Sequence, residues 1–256
     1  MLARLLLFLF ISSTALLASP TTITNSSFEA DATAGEFTLT TPTGWTSYTD
    51  PAYGSDFSAV SGVFLGTLNV TGFPSYYNDP TPPDGNLVAI IYNQTNFGAT
   101  EFGIEQTLSD TLAANTQYTL TVEVGNIGSG TSNNGAGDPY NLDGFPGYRI
   151  ELLADGVVLD EDDNSLVIPE REFATATIPF STGLSHTQLG QSLGIRLISL
   201  NSGNPSDALP ATIDANEVNF DNVRLTATAI PEPRVYGILS GTLALLLALR
   251  RRTTQR

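Results

Sequence analysis

His186 is the single histidine in a chain of 256 residues, so any serine–histidine–carboxylate triad would have to use it. It stands in Gly183-Leu184-Ser185-His186-Thr187, which reads as an exposed turn. No G-x-S-x-G elbow, zinc-ligand spacing or phosphate loop occurs. There is no cysteine, hence no thiolate chemistry and no disulfide framework. The 26 acidic residues offer many pairs to a two-carboxylate glycosidase, but no motif selects one pair. Asp160-Glu161-Asp162-Asp163-Asn164 fails as an EF-hand: counting twelve positions from Asp160 or Asp162 reaches Arg171 or Phe173, and no glycine occupies position six. It reads as a solvated acidic loop. The remaining candidates are aromatic. Trp45, Tyr48, Tyr53, Tyr76, Tyr77, Tyr140 and Tyr148 could stack on flat sugar faces while Asn, Asp, Gln or Arg bind hydroxyls. Tyr76 and Tyr77 fall in the proline-rich stretch Ser75–Gly85 and are expected to be exposed. Trp45, after Gly44, suits a packed position as well as a stacking one. Catalysis is not expected.

Strands must position these residues. Gln117–Val124 alternates apolar and polar side chains, as a strand with one buried face should. Asn86–Tyr92 is a more continuous apolar run, suited to a central strand. Tyr148–Leu153 and Val157–Leu159 flank Asp155-Gly156, a hairpin signature. Further strands are expected at Glu36–Leu39, Trp45–Tyr48, Gly62–Leu65, Gly103–Leu108, Phe173–Phe180, Leu193–Ser199 and Val218–Ala227. About ten short strands between turn residues, with no helical period, indicate an all-β sandwich. Gly125–Gly147 holds seven glycines and reads as a long loop. In the last strand Val218 and Phe220 share one parity while Val223 and Leu225 share the other. A β-bulge at Asp221-Asn222 would restore the register and re-aim Asp221; burial of both strand faces would also account for the slip.

Residues 20–229 read as one domain. Only Arg149, Arg171, Arg196 and Arg224 are basic there, and all acidic residues but Glu232 fall within it. Such a surface repels phosphate backbones and excludes nucleic-acid binding; it favours hard cations such as calcium. Residues 1–19 carry Arg4, an apolar stretch and a small residue at Ala18, the organisation of a secretory signal peptide.

The C-terminus, 230–256, has a third character. Pro231 and Pro233 stiffen an extended segment around Glu232. Val235–Leu249 carries no charge; as a helix it would span roughly 22 Å, short of a bilayer core of about 30 Å, but Arg234 and Arg250 can snorkel. Arg250, Arg251 and Arg252 form a stop-transfer cluster. The order Pro231-Glu232-Pro233, apolar run and arginines resembles the PEP-CTERM sorting signal of bacterial exported proteins, with Arg234 where a small polar residue is usual. The resemblance implies a transmembrane helix over 235–249, recognition by an exosortase, and an inner-membrane precursor destined for the cell surface or extracellular matrix.

A second resemblance concerns the domain. Asn25-Ser26-Ser27-Phe28-Glu29 with Gly44-Trp45, then Gln106-Thr107-Leu108 with Leu112–Leu120, then Val218–Leu225, are similar in order and spacing to the galactose-binding-like jelly roll of carbohydrate-binding modules. That resemblance implies a jelly-roll sandwich and a structural calcium between first and last strands, with Glu29 and Asp221 as ligands. It also implies a non-catalytic glycan-binding function, with Tyr76, Tyr77 and Trp45 as candidate contacts and extracellular polysaccharide as partner. A structural or adhesive matrix protein is the alternative, and a polysaccharide hydrolase a weaker one.

Overall fold

Every strand expected above forms in the computed structural model, which describes residues 18–31, 35–51, 63–73, 76–79, 81–93, 101–131, 139–140, 142, 144–201 and 217–231. In chain order the strands are β1 (Ser19–Pro20), β2 (Phe37–Thr38), β3 (Thr46–Thr49), β4 (Val63–Asn69), β5 (Leu87–Asn93), β6 (Phe102–Thr111), β7 (Thr116–Asn126), β8 (Gly130–Thr131), β9 (Pro139–Tyr140), β10 (Tyr148–Ala154), β11 (Val157–Asp163), β12 (Glu172–Ser181), β13 (Ser192–Ser199) and β14 (Glu217–Ala229). Two antiparallel sheets form the sandwich. The first runs β12-β7-β14-β5-β4-β2, with β1 also paired to β14; the second runs β11-β10-β13-β6-β3. Among the described residues no helix is long and apolar enough to cross a membrane. The apolar run 235–249 and most of the leader lie outside the described residues. Ser19 and Pro20, at the expected leader boundary, pair with Ala227 and Thr226 of β14.

The main core lies between the sheets. β7 sends Tyr118, Leu120, Val122 and Val124 into it, joined by Ile104, Ile150, Leu152, Ile195 and Leu197 of the second sheet. The period-two pattern of β7 thus has its expected cause. β5 differs: Ala89 and Ile91 face the main core, whereas Val88 and Ile90 enter a second apolar cluster with Leu68, Val70, Tyr76, Tyr77, Ile127 and Leu142. The first sheet is therefore covered on its outer face as well, which accounts for the continuous apolar run in this central strand.

The chain ends are tied to the last strand. Val223 N donates to Ser26 O at 2.9 Å. Gln106 accepts from Thr24 N and donates to the carbonyls of Thr24 and Gly44. Trp45 is buried against Phe28, ring centroids 5.7 Å apart, and donates Nε1–H to Asn25 O. It is a core residue and presents no face to a sugar.

The parity slip in β14 is a bulge. Its pairing with β7 shifts register between Asp221 and Arg224, and Asn222 adopts φ 50°, a left-handed conformation asparagine tolerates. Val218 and Phe220 before the bulge and Val223 and Leu225 after it all enter the main core. Glu217, Asn219 and Asp221 consequently share the opposite face.

The acidic run is not a solvated loop. Asp160–Asp163 belong to β11, paired with Arg149–Leu152 of β10. Asp162 is buried and accepts from the Tyr148 hydroxyl and from Ser165 N and Oγ. Asp155 and Gly156 at the β10–β11 turn have φ 51° and 74°, the left-handed pair a tight hairpin needs.

Candidate active site

The second apolar cluster is incompletely filled. A cavity of about 240 Å³ opens on the outer face of the first sheet, lined by Phe37, Leu39, Phe64, Leu68, Tyr76, Ile90, Tyr92, Ile127, Leu142 and Glu217. Each β-strand contributes by period two: Phe64 and Leu68 from β4, Ile90 and Tyr92 from β5, Glu217 from β14. Phe37 and Leu39 are partly exposed. The rings of Phe64 and Tyr92 stack at 5.8 Å.

Glu217 is the one carboxylate in this lining. It is 6% exposed and lies opposite Tyr92 in the β14–β5 register. Its Oε1 accepts from Asn219 Nδ2 at 2.8 Å. Burial pushes its carboxyl up to about 7, against the smaller opposing effect of the Asn219 hydrogen bond. A glutamic acid poised near neutrality in an apolar cavity is a competent proton donor.

Behind it Asn219 is fully buried, donating also to Ala89 O at 3.0 Å and accepting from the Tyr77 hydroxyl at 2.6 Å. Tyr77 stacks on Phe173, centroids 4.4 Å apart. Burial, then the nearby Glu217 and Asp221 carboxyls, raise its phenol well above 10, so it remains a donor. Tyr76 lines the cavity and donates to the buried Glu36 carboxylate. Tyr76 and Tyr77, expected at the surface, are 2% and 3% exposed: their loop folds down over the sheet instead of projecting from it.

Glu29 and Asp221 are brought to one place. Glu29 Oε1 accepts from the amides of Asn86 and Leu87 at 2.7 and 2.6 Å. Asp221, fully buried, accepts from the amides of Asp84 and Asn222 at 2.8 and 2.6 Å. Gly85 at φ 81° allows this approach, since a Cβ there would lie 2.4 Å from the Glu29 carboxyl. Burial, followed by the Asp84 and Glu29 charges, outweighs these hydrogen bonds and pushes Asp221 up to about 8. Among the described residues no group of three or more His, Cys, Asp and Glu is arranged to hold a metal. His186 is half-buried, edge-on to Phe180 at 5.7 Å, and does not line the cavity. Of the tail motif only Pro231 is described; Glu232, Pro233 and Arg250–Arg252 lie outside.

Comparison with known proteins decides the class. The sequence profile of the HpiC1-like family, described as HpiC1 cyclase, matches residues 19–226. The chain belongs to the HpiC1-like cyclase family. A cyclase crystal structure from Fischerella sp. TAU is 39% identical, with a TM-score of 0.71 over 84% of this chain and all of that one. A second, in complex with 4-(1H-indol-3-yl)butan-2-one, gives 39% and 0.70 with the same coverage. A third, a Stig cyclase in complex with (3Z)-3-(1-methyl-2-pyrrolidinylidene)-3H-indole, gives 38% and 0.70 over 84% of this chain and all of that one. Among curated proteins nothing matches significantly.

The family match overturns the expectation of a non-catalytic, glycan-binding PEP-CTERM protein. HpiC1-like proteins are cyclases, which are enzymes. The match spans the whole sandwich, so the identity rests on the folded domain and not on the tail, and exosortase, membrane and polysaccharide are not carried forward as partners. The physical reason is visible in the fold. Gln106, Gly44 and Trp45, which carry the resemblance to carbohydrate-binding modules, hold the sandwich together and do not face the cavity. They report architecture, which does not fix a ligand. Glu217 was missed. Its one signal is the parity of Val218 and Phe220, which sends Glu217, Asn219 and Asp221 to the opposite face, beside a strand apolar on both sides.

The acid carries a stability signature. Folding raises its pKa from 4.5 to about 7. The native state therefore holds this proton more tightly; the contribution is fully present below pH 4.5 and is lost as pH rises through 7. The loss is on the order of 3 kcal/mol. Glu217→Gln keeps the shape without the ionisation. In urea unfolding it should match the parent near pH 4 and exceed it in stability near pH 8; parallel curves for the two proteins at all pH values would refute the buried acid.

Proposed function

We propose that the protein closes a ring in an indole-bearing small molecule by acid-triggered isomerisation, with Glu217 as the proton donor. The single observation that carries this reading is a buried carboxyl, pushed up to about 7, at the wall of an apolar, aromatic-lined cavity in a chain of a cyclase family. The indole compounds bound by the related crystal structures support the substrate class.

Glu217 gives its proton to an unsaturated bond of the bound molecule and becomes a carboxylate. The resulting cation is attacked by a second unsaturated carbon, and the ring bond forms. A proton leaves that carbon and returns to the Glu217 carboxylate. The product has the substrate's composition, and no oxidant or reductant is consumed. The faces of Phe37, Phe64, Tyr76 and Tyr92 stabilise passing positive charge without offering a nucleophile. Apolar walls keep out water, which would otherwise capture the cation.

The reading is tested with an indole carrying a pendant alkene. The protein should convert it to an isomer of identical mass and different chromatographic retention. Glu217→Gln should lower turnover at least about 100-fold, the scale of a lost general acid, while 4-(1H-indol-3-yl)butan-2-one still binds by titration calorimetry. Undiminished turnover in Glu217→Gln excludes it as the donor.

We also propose a structural calcium at Glu29 and Asp221. The donor chemistry suits a hard cation: both are carboxylates, without histidine or thiolate, and the Glu29 charge helps to hold Asp221 high. Asp84 is paired with Arg224 at 2.8 Å, so backbone carbonyls would complete the shell. Such an ion ties the first segment to the last strand and takes no part in the reaction. Calcium should raise the melting temperature relative to chelator, and Asp221→Asn should abolish the difference; identical melting with and without calcium removes the ion from the account.

A further inference from the structure

We propose that Asn219 and Tyr77 are positioning residues for the Glu217 acid, fixing which carboxyl oxygen carries the proton into the cavity. This rests on the reading of Glu217 as the proton donor and specifies how that donor is aimed.

The oxygen and nitrogen of the Asn219 amide are interchangeable in shape and are distinguished by their partners. Ala89 O, at 3.0 Å, can only accept, so the NH₂ end must face it. The Tyr77 hydroxyl, at 2.6 Å from the other end, donates to Oδ1. The Ala89 carbonyl fixes the orientation, and the Tyr77 hydroxyl, able to donate or accept, is compatible with it. The second Nδ2 hydrogen is then directed to Glu217 Oε1 at 2.8 Å. The carbonyl oxygen of a carboxylic acid is a stronger acceptor than its hydroxyl oxygen, so Oε1 is assigned as the carbonyl and the proton to Oε2. Among the described residues Oε2 has no hydrogen-bond partner in the protein, and Glu217 lines the cavity. Deprotonation leaves the Asn219 bond in place, so the carboxylate stays oriented to take a proton back.

Gly125 makes this arrangement sterically available. It lies opposite Asn219 in the β14–β7 register. A Cβ there would come within 2.5 Å of the Tyr77 hydroxyl and 2.5 Å of the Phe173 ring. The missing side chain is the opening through which Tyr77 reaches Asn219. The phenol remains protonated, as its buried position between Glu217 and Asp221 requires. The groups around Glu217 are Asn219 on its own strand, Tyr77 behind Asn219, Tyr92 across from it on β5, and Tyr76 on the cavity wall with Glu36 behind it. Among the described residues no Lys, Arg or His lines the cavity, and the Asn219 amide is the group hydrogen-bonded to the acid.

The test uses the full chain labelled with ¹³C at the glutamate carboxyls and followed by NMR against pH. A resonance titrating near 7, absent in Glu217→Gln, is expected for the parent. Asn219 stabilises the ionised form, so Asn219→Leu should move this midpoint upward by about one pH unit, the worth of a hydrogen bond to a charged group. Tyr77→Phe, which keeps the stack on Phe173, should move it in the same direction by less, and Gly125→Ala should reproduce that effect without removing any polar atom. If Asn219→Leu does not fold, Tyr77→Phe and Gly125→Ala decide. A merely structural role would lower stability and leave the midpoint in place. Unmoved midpoints in the folded variants overturn the positioning role while leaving the acid intact. A parent midpoint at 4.5, by contrast, overturns the acid itself.

Discussion

A carboxyl group buried among apolar side chains with an amide beside it is drawn up from the usual carboxylate range to about 7, so both its acid and its carboxylate forms are available near neutral pH. Much of the outer half of this molecule follows from holding Glu217 in that state. The cavity needs walls, and these come from β4 and β5, whose outward side chains are apolar, and from the segments around Tyr76, Ile127 and Leu142. Had the outer face of the sheet been left to solvent, as is common in antiparallel sandwiches, Glu217 would be an ordinary ionised residue.

β14 connects this chemistry to the fold. One face supplies Val218, Phe220, Val223 and Leu225 to the main core. The other presents Glu217, Asn219 and Asp221, all buried. A straight strand could not keep the apolar side chains inward on both sides of Asp221; the bulge at Asn222 allows it. Each residue in that row has a partner in the protein: Asn219 for the acid, Tyr77 and Ala89 O for Asn219, and backbone amides for Asp221. An unsatisfied polar group there would cost roughly 1–3 kcal/mol. The row therefore holds the acid in place and seats the 84–87 segment at the same time.

The two-sheet architecture was legible because each strand's pattern reflects its own burial. β7 alternates because one face meets the core; β5 does not because both faces are covered. The bulge was legible as a parity slip. The cavity was not, since its side chains come from segments as far apart in sequence as Phe37 and Glu217, and no local spacing brings them together. Proline-rich loops are usually at the surface, which made Tyr76 and Tyr77 look like exposed sugar platforms. Glu29 and Asp221 were named through the resemblance to carbohydrate-binding modules, and the structure places both beside the 84–87 segment. Gln106, Gly44 and Trp45, part of the resemblance to a carbohydrate-binding module, hold this sandwich together.

The most direct test of the central claim is the dependence of kcat/KM on pH for ring closure of the pendant-alkene indole. A buried acid that must be protonated to act predicts a plateau at low pH and a loss of rate with a single ionisation centred near 7. A rate that stays level or rises as pH passes through 7 would contradict the account, because the reacting form of Glu217 would then not be the acid.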